Sequence, residues 1–286
     1  MSAGLLIGGE LHEVPGVTVV PPASHGGPRW NRLDPRDYAA RRAGVSIVVL
    51  HSTGGHWPQA VIEQPRLGGH ARDVLEDWSG DNHRGGELIH SAAQLVVDHD
   101  GIVYCAGDVA RHAAYHAKAV NGRAAGVEMC TYPDGSITRA CLRSSALLVA
   151  ALTWSGRPGS GLLPIPFQGP RGPYRGEPLR RLELRGAQTD GDGLCGVIGH
   201  RDQTARRGRG DPGDEIWREL VALGIEGVDY DGGEDLELGR ARQRALNTAD
   251  ARDGLTWRPL VVDGVCGPAS LAAMRRRGFA RWRDVA

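Results

Sequence analysis

Two histidines in this chain stand where a side chain can be held rigidly and aimed. His51 closes the run Val45-Ser-Ile-Val-Val-Leu50, and His200 closes Gly196-Val-Ile-Gly199. Both runs are short and apolar, which predicts strands, the first buried on both faces. Strand ends face a common edge of a sheet, so two histidines placed there can meet over one metal ion. The second is followed by His200-Arg-Asp202-Gln-Thr-Ala-Arg-Arg-Gly-Arg209-Gly-Asp211-Pro-Gly-Asp214, in which Asp211 is the candidate third ligand, with Asp202 and Asp214 also available on spacing alone. Two histidines and one carboxylate leave a fourth tetrahedral position open for water, the arrangement of a catalytic zinc site. Of the 11 histidines, His12, His25, His56, His70 and His83 sit in polar context and read as surface or loop residues.

The elements that must position these residues follow from the pattern. Residues 1–43 read as a polar, Pro- and Gly-rich extension with a strand or two at most, such as 17–20. Helical spacing of Ala71, Val74, Leu75 and Trp78 predicts a helix over 68–79. Leu95-Val-Val-Asp98 and Ile102-Val-Tyr-Cys105 flank Asp100-Gly101, a hairpin signal. Residues 125–130 read as a further strand, and 143–154 as a buried helix with Ser144 or Ser145 at its cap. The Gly-, Pro- and Arg-rich stretch 155–194 has no period and predicts a long loop or insert. A helix over 216–223 follows Pro212, and helices over 236–246 and 268–277 bracket Val261-Val-Asp-Gly-Val-Cys-Gly267. The expected fold is therefore α/β, a mixed central sheet flanked by helices with a metal site at one sheet edge. The domains are expected at 44–228, then a linker at 229–236 and a small helical unit at 237–286.

Composition narrows the classes. Over 286 residues, 34 basic and 34 acidic side chains cancel, which gives no electrostatic reason to expect nucleic acid as a partner. No stretch approaches the roughly 18–20 consecutive apolar residues of a membrane helix. Residues 1–10 have neither a basic n-region nor an adequate apolar core, so a secretory signal is not expected and synthesis in the cytoplasm is. Five scattered cysteines without a CxxC pair argue against a disulfide scaffold or an all-cysteine zinc site.

Three of these segments resemble one family. Val-Val-Leu-His51-Ser-Thr looks like the first zinc-ligand motif of the zinc N-acetylmuramoyl-L-alanine amidases, in the superfamily shared by the amidase-2 enzymes and the peptidoglycan-recognition proteins. Gly-His200-Arg-Asp through Asp211-Pro-Gly is similar to the segment with the second and third ligands. Ala113-Ala-Tyr-His116-Ala-Lys118 through Ala125-Gly-Val-Glu128 resembles the central motif, a histidine near the substrate followed by a strand carrying a glutamate. The resemblance covers about 44–223 in the family's order. It implies Zn2+ on His51, His200 and Asp211. It also implies Glu128 as general base, Arg209 (where a lysine is frequent) as oxyanion donor, and His116 as a hydrogen-bonding partner of the substrate. Zinc would lower the pKa of bound water toward roughly 7, and the bond cut would be the amide between N-acetylmuramic acid and L-alanine. Where family members often carry an aromatic residue and a histidine, this chain reads Ala92-Ala93-Gln94.

The C-terminal unit has its own likeness. Ala241-Arg-Gln-Arg-Ala-Leu-Asn247 and Val262-Asp263-Gly264-Val-Cys-Gly267-Pro-Ala-Ser270 resemble the three-helix peptidoglycan-binding domain. Both halves imply peptidoglycan or muropeptides as partner. The expected setting is a phage or prophage lysin, or an effector delivered by a secretion or contractile apparatus, acting on the cell wall after release. The alternatives are a muropeptide-recognition protein without catalysis and a cytoplasmic muropeptide-recycling amidase.

Overall fold

The computed structural model describes residues 4–36, 38–53, 69–78, 92–132, 136–169, 195–200, 212, 215–225, 236–253, 273 and 276–277, with only the backbone of 118–119 and 236–243. The chain divides into two compact units, Met1–Asp229 and Tyr230–Ala286.

In chain order the strands of the first unit are β1 (Leu5–Ile7), β2 (Glu10–His12), β3 (Val19–Val20), β4 (Tyr38–Ala40), β5 (Ile47–Ser52), β6 (Leu95–Val97), β7 (Val103–Cys105), β8 (His112–Ala114), β9 (Ala124–Met129), β10 (Thr153–Trp154), β11 (Ile165–Pro166) and β12 (Gly196–Gly199). Its helices are α1 (Gly69–Trp78), α2 (Arg139–Leu152) and α3 (Glu215–Ala222). Six strands form one mixed sheet in the order β12-β5-β9-β6-β7-β3. The strands β12, β5, β9 and β6 run parallel, so their carboxyl ends share one edge. The hairpin expected at Asp100-Gly101 pairs β6 antiparallel to β7, with Gly101 at φ 85°.

Ile47, Val48, Val49 and Leu50 are fully buried, which accounts for the unbroken apolar run of β5. Alternation splits the run between the two faces of the sheet. On one face Ile47 and Val49 pack with Ala124, Ile198, Ala117 and Val120. Farther along the sheet, Val96 and Tyr104 pack with Ala71, Val74 and Leu75 of α1. The helix α2 packs against β6, β9 and α3, and α3 inserts the fully buried Trp217.

Three expectations are corrected here. The described part of residues 1–43 supplies four strands, one of them, β3, an edge strand of the central sheet. The carboxylate of Asp108, accepting from Gly8 N (3.0 Å) and Gly9 N (2.7 Å), ties the β1–β2 turn to the body. Asn31 Nδ2 donates to the Val20, Pro21 and Cys105 carbonyls and anchors the next stretch. Helix α2 starts at Arg139 and not near 143, because Thr138 caps it and Ser145 is buried within it. Of the expected loop 155–194, the described part carries β11, paired parallel with β10.

In the second unit α4 (Leu236–Arg252) runs past residue 246, the expected end. Its Asp250 accepts from Arg276 (3.3 Å) and Arg277 (2.8 Å) and is nearly buried. The turn at Asp263-Gly264, with Gly267 and Ser270, lies outside the described residues. Among the described residues no helix is long and apolar enough to cross a membrane.

Thr138 has two duties. Its Oγ1 accepts from Cys141 N (3.1 Å) and donates to the His99 carbonyl, which joins α2 to the β6–β7 turn. Thr138→Ala is expected to cost about 1–2 kcal/mol, read as a lower urea midpoint at unchanged slope.

Candidate active site

The register of the parallel strands sets the site. Gly199 lies opposite Leu50 across β12 and β5, so His200 follows level with His51. His51 lies opposite Glu128 across β5 and β9, and Glu128 opposite Val96 across β9 and β6. Cross-strand partners point to the same face, and neighbouring strands stand about 4.8 Å apart. His200, His51 and Glu128 thus form a row across three strand ends.

Both imidazoles are buried, and their Nδ1 atoms lie 2.9 Å apart. Two neutral nitrogens so placed must share a proton in a hydrogen bond, or share a cation. In tetrahedral zinc coordination, with Zn–N of roughly 2.0–2.1 Å, two nitrogens stand roughly 3.3 Å apart. The pair therefore fits a zinc ion after a movement of a few tenths of an ångström. Asp211, the expected third ligand, and Arg209 lie outside the described residues, as do Asp202 and Asp214. Among the described residues no group of three His, Cys, Asp or Glu side chains is arranged to hold a metal.

His116 joins this row from behind. Its Nδ1 lies 2.9 Å from Nε2 of His51, and the two rings meet edge to face at 81°. Burial pushes the His116 imidazole down to about 3, against an opposing influence of the Ala124 backbone, so the ring is neutral at physiological pH. Its Nε2 is buried.

Several supports of the site carry no motif signal. Gly126, two residues before Glu128 and on the same face, leaves room for His116: a Cβ there would stand 2.9 Å from the ring Cγ. Gln94 occupies one of the places where the family often has other residues. Its Oε1 accepts from Gly126 N (2.8 Å) and its Nε2 donates to the His112 carbonyl (2.8 Å), which joins β9 to β8. Asn121 Oδ1 accepts from the backbone of His116 (3.1 Å) and Ala117 (2.5 Å). Arg41 donates to the carbonyls of Val109, His112, Asn121, Gly122 and Ala124. Only tertiary contact gives these residues a task, so composition and spacing could not single them out. Cys105, Cys130 and Cys141 are free but buried, and burial pushes Cys105 and Cys141 up to about 12, which makes these three poor nucleophiles; Cys195 is only partly buried, its Sγ 3.6 Å from Gln168 Nε2.

A second polar cluster lies at the carboxyl end of β6. Asp98 caps α1 from across the chain through the backbone of His70 and Ala71, and Gly69 admits its carboxylate where a Cβ would collide. His70, expected at the surface, is 2% exposed, with Nδ1 3.1 Å from Nε2 of His99. The packing of α1 onto the sheet buries it. The ring of His99 stacks on Tyr132 at 4.3 Å. Burial pushes His70 down to about 4, with His99 adding to the effect, and pushes Asp98 up to about 6.

Residues 41–214 match the family model described as N-acetylmuramoyl-L-alanine amidase. No curated protein matches the chain. Among solved structures, an AmpD derivative is 17% identical over 69% of this chain and 96% of its own, with a TM-score of 0.38. PGRP-Hd from Alvinella pompejana is 16% identical over 47% and 76%, with a TM-score of 0.36. The endolysin amidase LysCS from Clostridium intestinale URNW is 16% identical over 48% and 72%, with a TM-score of 0.28.

The buried pair His70 and Asp98 predicts opposing responses to acid. As pH falls from 6.5 toward 4, the unfolded chain takes up a proton at His70 and the folded chain does not, so stability is lost. From about 6 down to the carboxylate's ordinary 3.8 the folded chain holds a proton at Asp98 that the unfolded chain does not, so stability is gained. Each effect reaches about 3 kcal/mol at most. Urea denaturation between pH 4 and 6.5 is expected to show a smaller acid loss in His70→Gln than in wild type, and a larger one in Asp98→Asn.

Proposed function

Because the chain belongs to the N-acetylmuramoyl-L-alanine amidase family and is an enzyme of that class, an amidase of peptidoglycan, we propose that it cuts the amide between N-acetylmuramic acid and L-alanine with zinc held by His51, His200 and Asp211. The observation that carries this reading is the row of His200, His51 and Glu128 on the ends of three neighbouring parallel strands. Bound there, zinc supplies Lewis acidity toward the scissile carbonyl and makes water acidic enough to attack near neutral pH.

The chain's own residues do the rest. Glu128, directly beside His51 in register, accepts the proton of the attacking water and returns it to the leaving amine. The rigid strand end fixes its distance to the reacting carbon, which a loop would not. Arg209 donates to the carbonyl oxygen as negative charge builds there, a contribution of roughly 3–4 kcal/mol for a well-placed donor. The products are a free sugar lactyl carboxylate and a stem peptide with an N-terminal L-alanine. The second unit binds wall polymer and raises the local concentration of substrate bonds. A module for polymer supports a lysin or a delivered effector that acts on the cell wall.

Glu128→Gln is expected to keep fold and metal while lowering turnover about 100-fold or more, measured as dye release from labelled cell walls. Unchanged turnover assigns Glu128 a structural task. Metal analysis of the wild type is expected to find one zinc per chain, and a chelator to abolish release until zinc is restored. Mass spectrometry of the products should show intact stem peptides; cleavage inside the stem refutes the proposed bond, and turnover of soluble muropeptides alone moves the setting to recycling.

A further inference from the structure

We propose that His116 is a positioning residue for His51: its Nδ1 accepts the proton on Nε2 of His51 and holds that ring in the tautomer whose Nδ1 lone pair faces His200. The inference rests on the reading of His51 as a metal ligand. A neutral imidazole carries one proton, and whichever nitrogen holds it cannot ligate. A proton on Nδ1 of His51 would stand where the metal must bind. The 2.9 Å contact to His116 gives that proton an acceptor on the far side of the ring. The edge-to-face geometry suits a hydrogen bond in the ring plane and excludes stacking.

His116 presents Nδ1 to His51 because it is itself held from three directions. Asn121 Oδ1 takes the backbone N–H of both His116 and Ala117. The bare backbone of Gly126 receives the ring, and any side chain there would displace it. Arg41 binds the carbonyls of Asn121, Gly122 and Ala124, which fixes the segment between β8 and β9. With 8% of the residue exposed, His116 faces His51 and offers little surface to a substrate.

The test uses the full-length chain and three readouts. In the metal-free wild type, 15N-detected NMR of the His51 ring is expected to show the proton on Nε2; a proton on Nδ1 overturns the inference without need of any variant. His116→Asn keeps an acceptor close to the Nδ1 position, and His116→Leu fills the space without one. By competition titration with zinc, the leucine variant is expected to bind 10–100-fold more weakly and the asparagine variant within a few-fold of wild type. A structural role alone would lower the thermal midpoint of both variants and leave zinc affinity equal, which also overturns the inference. A wild type that shows the Nε2–H tautomer and binds no zinc sinks the metal reading and supports the hydrogen bond proposed here.

Discussion

Level termination of three parallel strands is the constraint on which the site depends. Hydrogen-bonded register lets β12, β5 and β9 slide only in whole steps, and a slip of one residue would turn His51 or Glu128 to the opposite face. The fully buried residues of β5 make such a slip costly, because every apolar side chain would exchange faces with it. Core packing and catalytic alignment are therefore enforced by the same residues: Ile47 and Val49 fix the register that sets His51 beside Glu128.

Around that frame the polar groups are buried in pairs and chains. His200, His51 and His116 touch in sequence, and His70 meets His99 at the end of β6. A buried imidazole is tolerated when neutral and hydrogen-bonded, and costly otherwise. The pairing explains how a protein can store several histidines inside a small α/β unit. Burial holds the His70, His99 and His116 rings toward the neutral form, since a proton added there would bury a charge.

His51 and His200 were legible because each ends an apolar run visible in the sequence, whereas His116 and Glu128 stood out only through the likeness to the family's central motif. The strands β5, β6, β7, β9 and β12 and the helices α1 and α3 were legible from their apolar pattern. The start of α2 was not, because Ser144 and Ser145 offer cap chemistry as good as that of Thr138, and only the contact with the His99 carbonyl selects among them. The extension before residue 44 was not legible either. Its strands are two or three residues long: β1 and β2 pair with each other, and β3 and β4 are held by β7 and β8.

By itself the sequence determined the chemistry available, imidazoles and a carboxylate at strand ends, and the alternation that buries one set of neighbours and lines up the other. Tertiary structure decided which nitrogen faces which. Hydrophobic period is a local property of the chain, written every two or three residues. The partners of His116, Gly126, Gln94 and Arg41 are brought together by folding across distant segments, and no local pattern encodes a contact whose other half lies on another strand.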